Sequence, residues 1–250
     1  MKKFIWAIVC IVVASCGSDH PGEKKTSLAS HFLSISDSED KGIKDVISSF
    51  GGECEYGFSK SVSVNEEQQN TFWLSVRKSQ SIDDLPIDAE VFASGIALTF
   101  YRNLKEEKSK YSHVKVKVVK SGSSSEKSFS VKLLDSVLSR FNVVKSAINF
   151  IDKEDYKSFS NSVYLDERFI EDLDAQKKAT FLDTVKAIRN STGPLKEIIS
   201  IGFNEISLPD GSEFLYYSIF VLFEKRNYPI SLVVNRDTTD QRVHFFNYNF

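Results

Sequence analysis

From Asp37 onward the apolar positions recur with two periods, and the balance between them shifts along the chain. Ile43, Val46, Ile47 and Phe50 stand at i, i+3, i+4 and i+7, one face of a short helix that Gly51 and Gly52 stop. Cys54, Tyr56 and Phe58 then alternate with Glu55 and Gly57, and Val62 and Val64 continue the alternation. The uneven spacing around Lys60 predicts a bulge. After a polar turn over 65–70, Phe72, Leu74 and Val76 mark one side of a second strand, so the two segments read as a hairpin. Asp84 and Pro86 suit the start of a helix that carries Val91, Phe92, Ile96, Phe100 and Leu104 inward. His113, Lys115 and Lys117 alternate with Val114, Val116 and Val118, the pattern of a half-exposed strand. Ser121 to Ser125 is either a hairpin loop or a linker between lobes, and Phe129 and Val131 fit one last strand. This first part reads α-β-β-α-β-β.

A long helical stripe follows, with Leu134, Val137, Leu138, Phe141, Val144, Ile148 and Ile151 on one side. Asp152, Glu154 and Asp155 cluster where the next helix starts, and the positive end of the helix dipole accounts for them without catalysis. Tyr156 and Phe159 point inward from that segment. Two more helical patterns are expected, one around Phe169, Ile170 and Leu173, the other holding Phe181, Leu182, Val185 and Ile188 and ending at Gly193-Pro194. Beyond Pro194 the period is two. Ile199, Ile201 and Phe203 lead to Pro209-Asp210-Gly211, a turn in which proline fixes φ and glycine takes positive φ. Three more strands follow, starting at Phe214, near Ile230 and at Val243, a four-stranded antiparallel meander in all.

The strand from Phe214 to Phe223 departs from the alternation of a sheet with one wet face. Phe214, Tyr216, Phe220 and Leu222 fall on one face, and Leu215, Tyr217, Ile219, Val221 and Phe223 on the other. At roughly 25 cal/mol per Å² of apolar area, leaving either face wet forfeits several kcal/mol. The helices cover one face. The other is expected to meet the first lobe, a second copy of the chain, another envelope protein or a ligand, and Phe214, Tyr216, Tyr217, Phe220 and Phe223 are the candidate interaction residues.

The N-terminus has a different character. Lys2 and Lys3 precede an apolar run from Phe4 to Ala14, which has the length of a signal-peptide core and is too short to span a bilayer. The run closes on Val13-Ala14-Ser15-Cys16, which resembles the lipobox of bacterial lipoproteins, with Val13 in place of the commoner leucine. The resemblance covers residues 1–16. It implies cleavage before Cys16 and acylation of the Cys16 sulfur, with palmitate-type chains anchoring the protein at about 0.8 kcal/mol per buried CH₂. The competing readings are an ordinary secretory peptide cleaved after Ser15 and a retained transmembrane helix, which Gly17, Asp19, His20 and Pro21 oppose by ending the apolar run. Gly17 after the cysteine favours the outer membrane where lipoproteins are sorted by that position. Residues 1–15 thus read as a signal peptide and 16–36, rich in Ser, Gly, Lys and His, as a tether. Residues 37–132 and 133–250 read as two α+β lobes.

Composition narrows the chemistry. Removing the first 15 of the 250 residues leaves 235, enough for one large or two small domains. Loss of Lys2 and Lys3 takes the net charge from −2 to −4, which with interspersed signs argues against nucleic-acid partners. With Cys10 removed and Cys16 acylated, Cys54 has no partner for a disulfide, and Glu53 and Glu55 beside it disfavour a thiolate. The sequence contains no HExxH, GxSxG, P-loop, GxGxxG or paired CxxC. His20, His31, His113 and His244 show no metal-ligand spacing, so neither a metal nor another cofactor is expected. His113 reads as solvent-facing, and His244, beside Phe245 on the last strand, as a surface or core residue.

Helices followed by a curved antiparallel sheet resemble, over about residues 133–250, the cystatin-like or NTF2-like α+β fold. That fold hosts enzymes, ligand carriers and dimerisation modules alike. Where NTF2-like proteins are enzymes, an acidic residue in the pocket serves as general base. Glu205 and Glu213 are the residues on the sheet strands that would have to point inward, and Tyr216 and Tyr217 would line such a pocket. The expectation is a non-catalytic binding or structural module anchored in the cell envelope, with an NTF2-like enzyme or ligand carrier as the alternative.

Overall fold

A computed structural model describes residues 35–61, 69–170 and 175–248. Residues 1–34, on which the expected signal peptide, Cys10, Cys16, His20, His31 and nearly all of the expected tether fall, together with Val62, Val64 and Leu173, lie outside the described residues. Helix α1 (Asp37–Phe50) packs Ile43, Val46 and Phe50 inward, as the spacing predicts, while Ile47 at the stripe's margin stays exposed. Strands β1 (Glu53–Ser61) and β2 (Gln69–Arg77) form the expected antiparallel pair. Their register runs unbroken from Glu53 opposite Arg77 to Ser61 opposite Gln69, so Lys60 faces Asn70 without a bulge.

The next helix begins later than Asp84 and Pro86 suggest. Asp84 instead closes the one-turn helix α2 (Gln80–Asp83), whose N-terminus the Ser79 hydroxyl caps by accepting from the Ile82 N–H. Helix α3 (Ala89–Tyr101) starts behind Asp88, and Leu104 lies buried beyond its end. Every residue from Phe92 to Tyr101 is buried, so α3 is a core helix apolar on all sides rather than an amphipathic one. A 3₁₀ turn (Glu106–Lys110) leads to β3 (His113–Lys120), which pairs parallel to β2 and antiparallel to β4 (Ser123–Ser130). The first sheet therefore runs β1-β2-β3-β4. Ser121 and Gly122, with φ of 46° and 82°, make a two-residue hairpin turn of the kind that matches strand twist, so the SGSSS stretch is hairpin and strand.

Ser130 ends β4 and caps α4 (Val131–Asp152) by accepting from the Leu133 N–H at 3.1 Å, so the chain enters the second part without a linker and Val131 belongs to the helix. Helices α5 (Tyr156–Ser162) and α6 (Ala175–Thr192) follow. The helix expected around Phe169 and Ile170 is absent among the described residues. Residues 163–166 run extended beside the last strand and 167–169 form a turn. Strands β5 (Leu195–Ser207), β6 (Glu213–Phe223), β7 (Asn227–Asn235) and β8 (Val243–Tyr248) make the predicted antiparallel meander in the order β5-β6-β7-β8. The fold is α+β, with six α-helices and two four-stranded sheets among the described residues, the second sheet following the helices as the pattern requires.

Residues 37–250 cluster as one compact unit because α3 serves both sheets. On one side Phe100 stacks on Phe72 of β2 at 4.2 Å, and Gly42 of α1 leaves room for the same ring. On another, α3 lies against β5, which would otherwise be an open edge. Gly95 meets the Ile201 backbone, Gly202 meets the Val91 backbone, and the Phe203 N–H donates to Ser94 Oγ at 2.7 Å. A register shift between Ser200 and Gly202 bends β5 at this contact. A covered edge of this kind blocks strand addition.

Candidate functional site

The five candidate interaction residues on β6 do not share a surface. Tyr217 and Phe223 are buried on the helix side, where Tyr217 Oη donates to the Val137 carbonyl at 2.7 Å and its ring packs on Phe141. Phe159 and Phe181 fill the neighbouring space against Phe246. Phe214 sits on the opposite face but is also buried, under Phe169 at 4.9 Å and beside His244 at 5.1 Å. Only Tyr216 and Phe220 are half-buried, together with Ser218 and Leu222. Tyr216 Oη donates to Ser231 Oγ on the adjacent strand at 2.6 Å. The first sheet reaches the second through β5, where Phe129 of β4 packs on Phe203 at 5.6 Å.

Tyr216 and Tyr217 point to opposite faces, as consecutive strand residues must, so they do not line one pocket. Glu205 and Glu213 do not point inward either. Both are exposed and share Arg236 Nη1 at 2.9 Å each. Of the acidic cluster around α5, Asp155 does cap the helix, accepting from the Ser158 N–H at 3.1 Å, and hydrogen bonds from the Ser158 hydroxyl and then its N–H hold the carboxyl below the ordinary range. Asp152 belongs to the end of α4, where it accepts from the Leu195 N–H and faces Arg189. Cys54 is half-buried and free, and burial, reinforced by the Glu55 charge, pushes its thiol up to about 12. His113 is half-buried on β3, its Nδ1 at 3.0 Å from Ser112 Oγ.

The densest polar arrangement among the described residues lies where the 163–170 segment crosses the β8 end of the second sheet, and it is centred on His244. The ring is 4% exposed. Its Nδ1 is 3.1 Å from Asp166 Oδ2 and its Nε2 is 2.8 Å from Asp240 Oδ2. Each carboxylate is also engaged by an arginine two residues on. Arg168 donates to Asp166 through Nε at 3.0 Å and Nη2 at 2.7 Å. Arg242 donates to Asp240 through Nε at 3.0 Å. In both triplets the aspartate also accepts the arginine's backbone N–H, at 3.0 Å in each case. These are two Asx turns built on Asp-x-Arg.

Hydrogen bonds from Arg168 hold the Asp166 carboxyl well below the usual carboxylate range, with a smaller share from His244. For Asp240, burial raises the carboxyl but is outweighed by hydrogen bonds from Arg242 and His244, so the net direction is also downward. Arg140 of α4, 2% exposed, fixes the same corner by donating to the Asn235 carbonyl at 2.8 Å and to the Asp240 carbonyl. Tyr164 is exposed and lies edge-on to the His244 ring, with the Arg242 guanidinium over its face at 5.2 Å. No three His, Cys, Asp or Glu side chains converge as a metal site among the described residues.

This cluster was not anticipated from the order of residues. Its only sequence trace is the repeated Asp-x-Arg, at Asp166-Glu167-Arg168 and Asp240-Gln241-Arg242. What joins the two triplets is the parallel bridge between Val163 and Val243. Compared with known proteins, the chain matches no protein-family profile, no curated protein and no solved structure significantly.

Proposed function

We propose that this chain is a cell-envelope lipoprotein, held by acyl chains on Cys16, whose folded body from residue 37 onward is a non-catalytic binding or structural module. The observation that carries the reading is the succession Lys2-Lys3, the apolar run Phe4–Ala14 and Val13-Ala14-Ser15-Cys16. A basic start, a core of signal-peptide length and a small-residue box ending in cysteine are what export and lipidation machinery reads. Where lipoproteins are sorted by the residue after the cysteine, Gly17 favours the outer membrane.

The body supports a module rather than an enzyme through the way its reactive groups are engaged. His244 is flanked by two carboxylates that already have arginine partners. Glu205 and Glu213 are spent on Arg236, and the Cys54 thiol is kept protonated by burial. The helix-facing side of the second sheet, where an NTF2-like pocket would open, is filled by Tyr217, Phe141, Phe159 and Phe246.

The test is intact-mass analysis of the protein from a bacterial envelope fraction, with labelled palmitate supplied in growth. The wild-type chain is expected to begin at Cys16, to carry acyl mass and to partition into the detergent phase, and Cys16→Ser to lose all three. Envelope retention of Cys16→Ser, with no acyl mass on the wild-type chain, would sink the proposal.

A further inference from the structure

We propose that His244 is a proton-dependent clamp. It grips the 163–170 strap and the β7–β8 loop together while both ring nitrogens carry hydrogen, and loosens one of them when a nitrogen is bare. The proposal starts from a juxtaposition. A ring nearly sealed from solvent has carboxylate oxygens at 3.1 Å and 2.8 Å on its two nitrogens, and the two carboxylates belong to different segments, Asp166 on the strap and Asp240 on the loop.

Ionised carboxylates only accept hydrogen bonds. Both are kept in that state by their arginines, Arg168 and Arg242. A ring nitrogen without hydrogen therefore finds an acceptor where it needs a donor. The neutral imidazole has one such nitrogen whichever tautomer it takes, so only the doubly protonated ring satisfies both contacts. Among the described residues no side chain supplies a substitute donor. The other groups facing the ring are the Phe214 ring from β6 and the Tyr164 ring from the strap itself. Arg140 is turned to the Asp240 carbonyl, and Arg168 extends past Asp166 to Asp210 at 3.2 Å. Because each carboxylate has its own arginine, the ring proton is not needed to neutralise the cluster.

The strap is the element that yields. His244 sits within β8, whereas the strap is fastened to β8 by few backbone bonds, Tyr164 N–H to the Val243 carbonyl at 2.7 Å and Asp166 N–H to the His244 carbonyl at 3.1 Å. With the ring protonated, the side-chain bond to Asp166 reinforces these two. With it neutral, repulsion at about the same distance works against one side of the clamp.

Hydrogen exchange on the full chain in detergent, read at the Tyr164 and Asp166 amides across pH, tests this. Histidine ring NMR is followed alongside, the His244 signal being assigned by its loss in His244→Gln. Protection at the two amides is expected to fall about tenfold as the ring gives up its second proton, the loss of one charge-assisted hydrogen bond. Leu232, in the middle of the second sheet, should hold its protection throughout. Asp240→Asn supplies an amide N–H to a bare Nε2, so in that variant protection of the strap should no longer follow pH. Three results would overturn the clamp: unchanged strap protection across the ring titration, an equal loss at Leu232, or a pH dependence that survives in Asp240→Asn.

Discussion

Gly95 of α3 and Ile201 of β5 touch backbone to backbone, and a Cβ on residue 95 would overlap the Ile201 carbonyl. The obstacle is main chain that the flanking bulge already fixes, so no side-chain rotation can relieve it. Gly95→Ala should therefore cost about 3 kcal/mol or more, at the upper end for overpacking. Gly122→Ala should cost only about 1 kcal/mol, since nothing lies within 4 Å of it and the penalty is its φ of 82° alone. Urea unfolding of the two variants separates close approach from backbone conformation.

Arg140 puts a charged group in the core and spends it on two loop carbonyls, those of Asn235 and Asp240. Arg140→Met keeps the volume but leaves both acceptors buried without their donor. The expected loss is about 2–4 kcal/mol. Proteolysis within 236–242 should accelerate with it, because the arginine is what ties that loop to α4.

The two faces of β6 should respond differently to truncation. Tyr217→Ala removes a fully buried ring and its bond to Val137, an expected cost of about 4 kcal/mol. Phe220→Ala removes a half-buried ring and should cost about 1–2 kcal/mol. Equal costs from thermal or urea unfolding would mean that the half-exposed face is covered as completely as the helix-facing one.

Acid should act through Asp166 and Asp240. Both carboxyls bind a proton less readily folded than unfolded, so each contributes stability that is full above the unfolded value near pH 4 and is lost as pH falls through the folded one. Unfolding free energy measured from pH 5 down to pH 2 should decline, and Asp166→Asn should flatten the decline while lowering stability at pH 7 by about 2 kcal/mol.

Cys54 should be silent to thiol reagents in the native protein. With burial and Glu55 holding the thiol up to about 12, roughly one molecule in ten thousand carries the thiolate at pH 8. In a fragment beginning at Gly17, where Cys54 is the sole cysteine, reaction with an aromatic disulfide reagent should await denaturant. Stoichiometric reaction in native buffer would contradict that environment.

The residue order by itself determined the element types and most of their sequence. The stripe on α4 and the alternation in β2, β3 and β7 are local periodicities, and Pro209-Asp210-Gly211 is a turn whose φ requirements are written in single residues, whereas Ser121-Gly122 is legible only as a hairpin loop or a linker. The proposed lipobox, Val13-Ala14-Ser15-Cys16, is likewise a contiguous pattern. Where neighbouring preferences competed, the order misled. Asp84 and Pro86 look like a helix start, yet Ser79 opens an earlier turn and α3 begins five residues beyond Asp84. Phe169 and Ile170 have helical spacing, yet Phe169 covers Phe214, and the segment before it pairs with β8 instead.

Only the tertiary structure decided that α3 is enclosed by both sheets, that the two halves of the chain share one core, and that His244 stands between Asp166 and Asp240. Those relationships join residues tens of positions apart: Gly95 to Ile201, Phe129 to Phe203, Asp166 to His244. A periodicity reports which side of an element is apolar. It carries no information on which distant element meets that side, because that depends on the closure of the whole chain around its core.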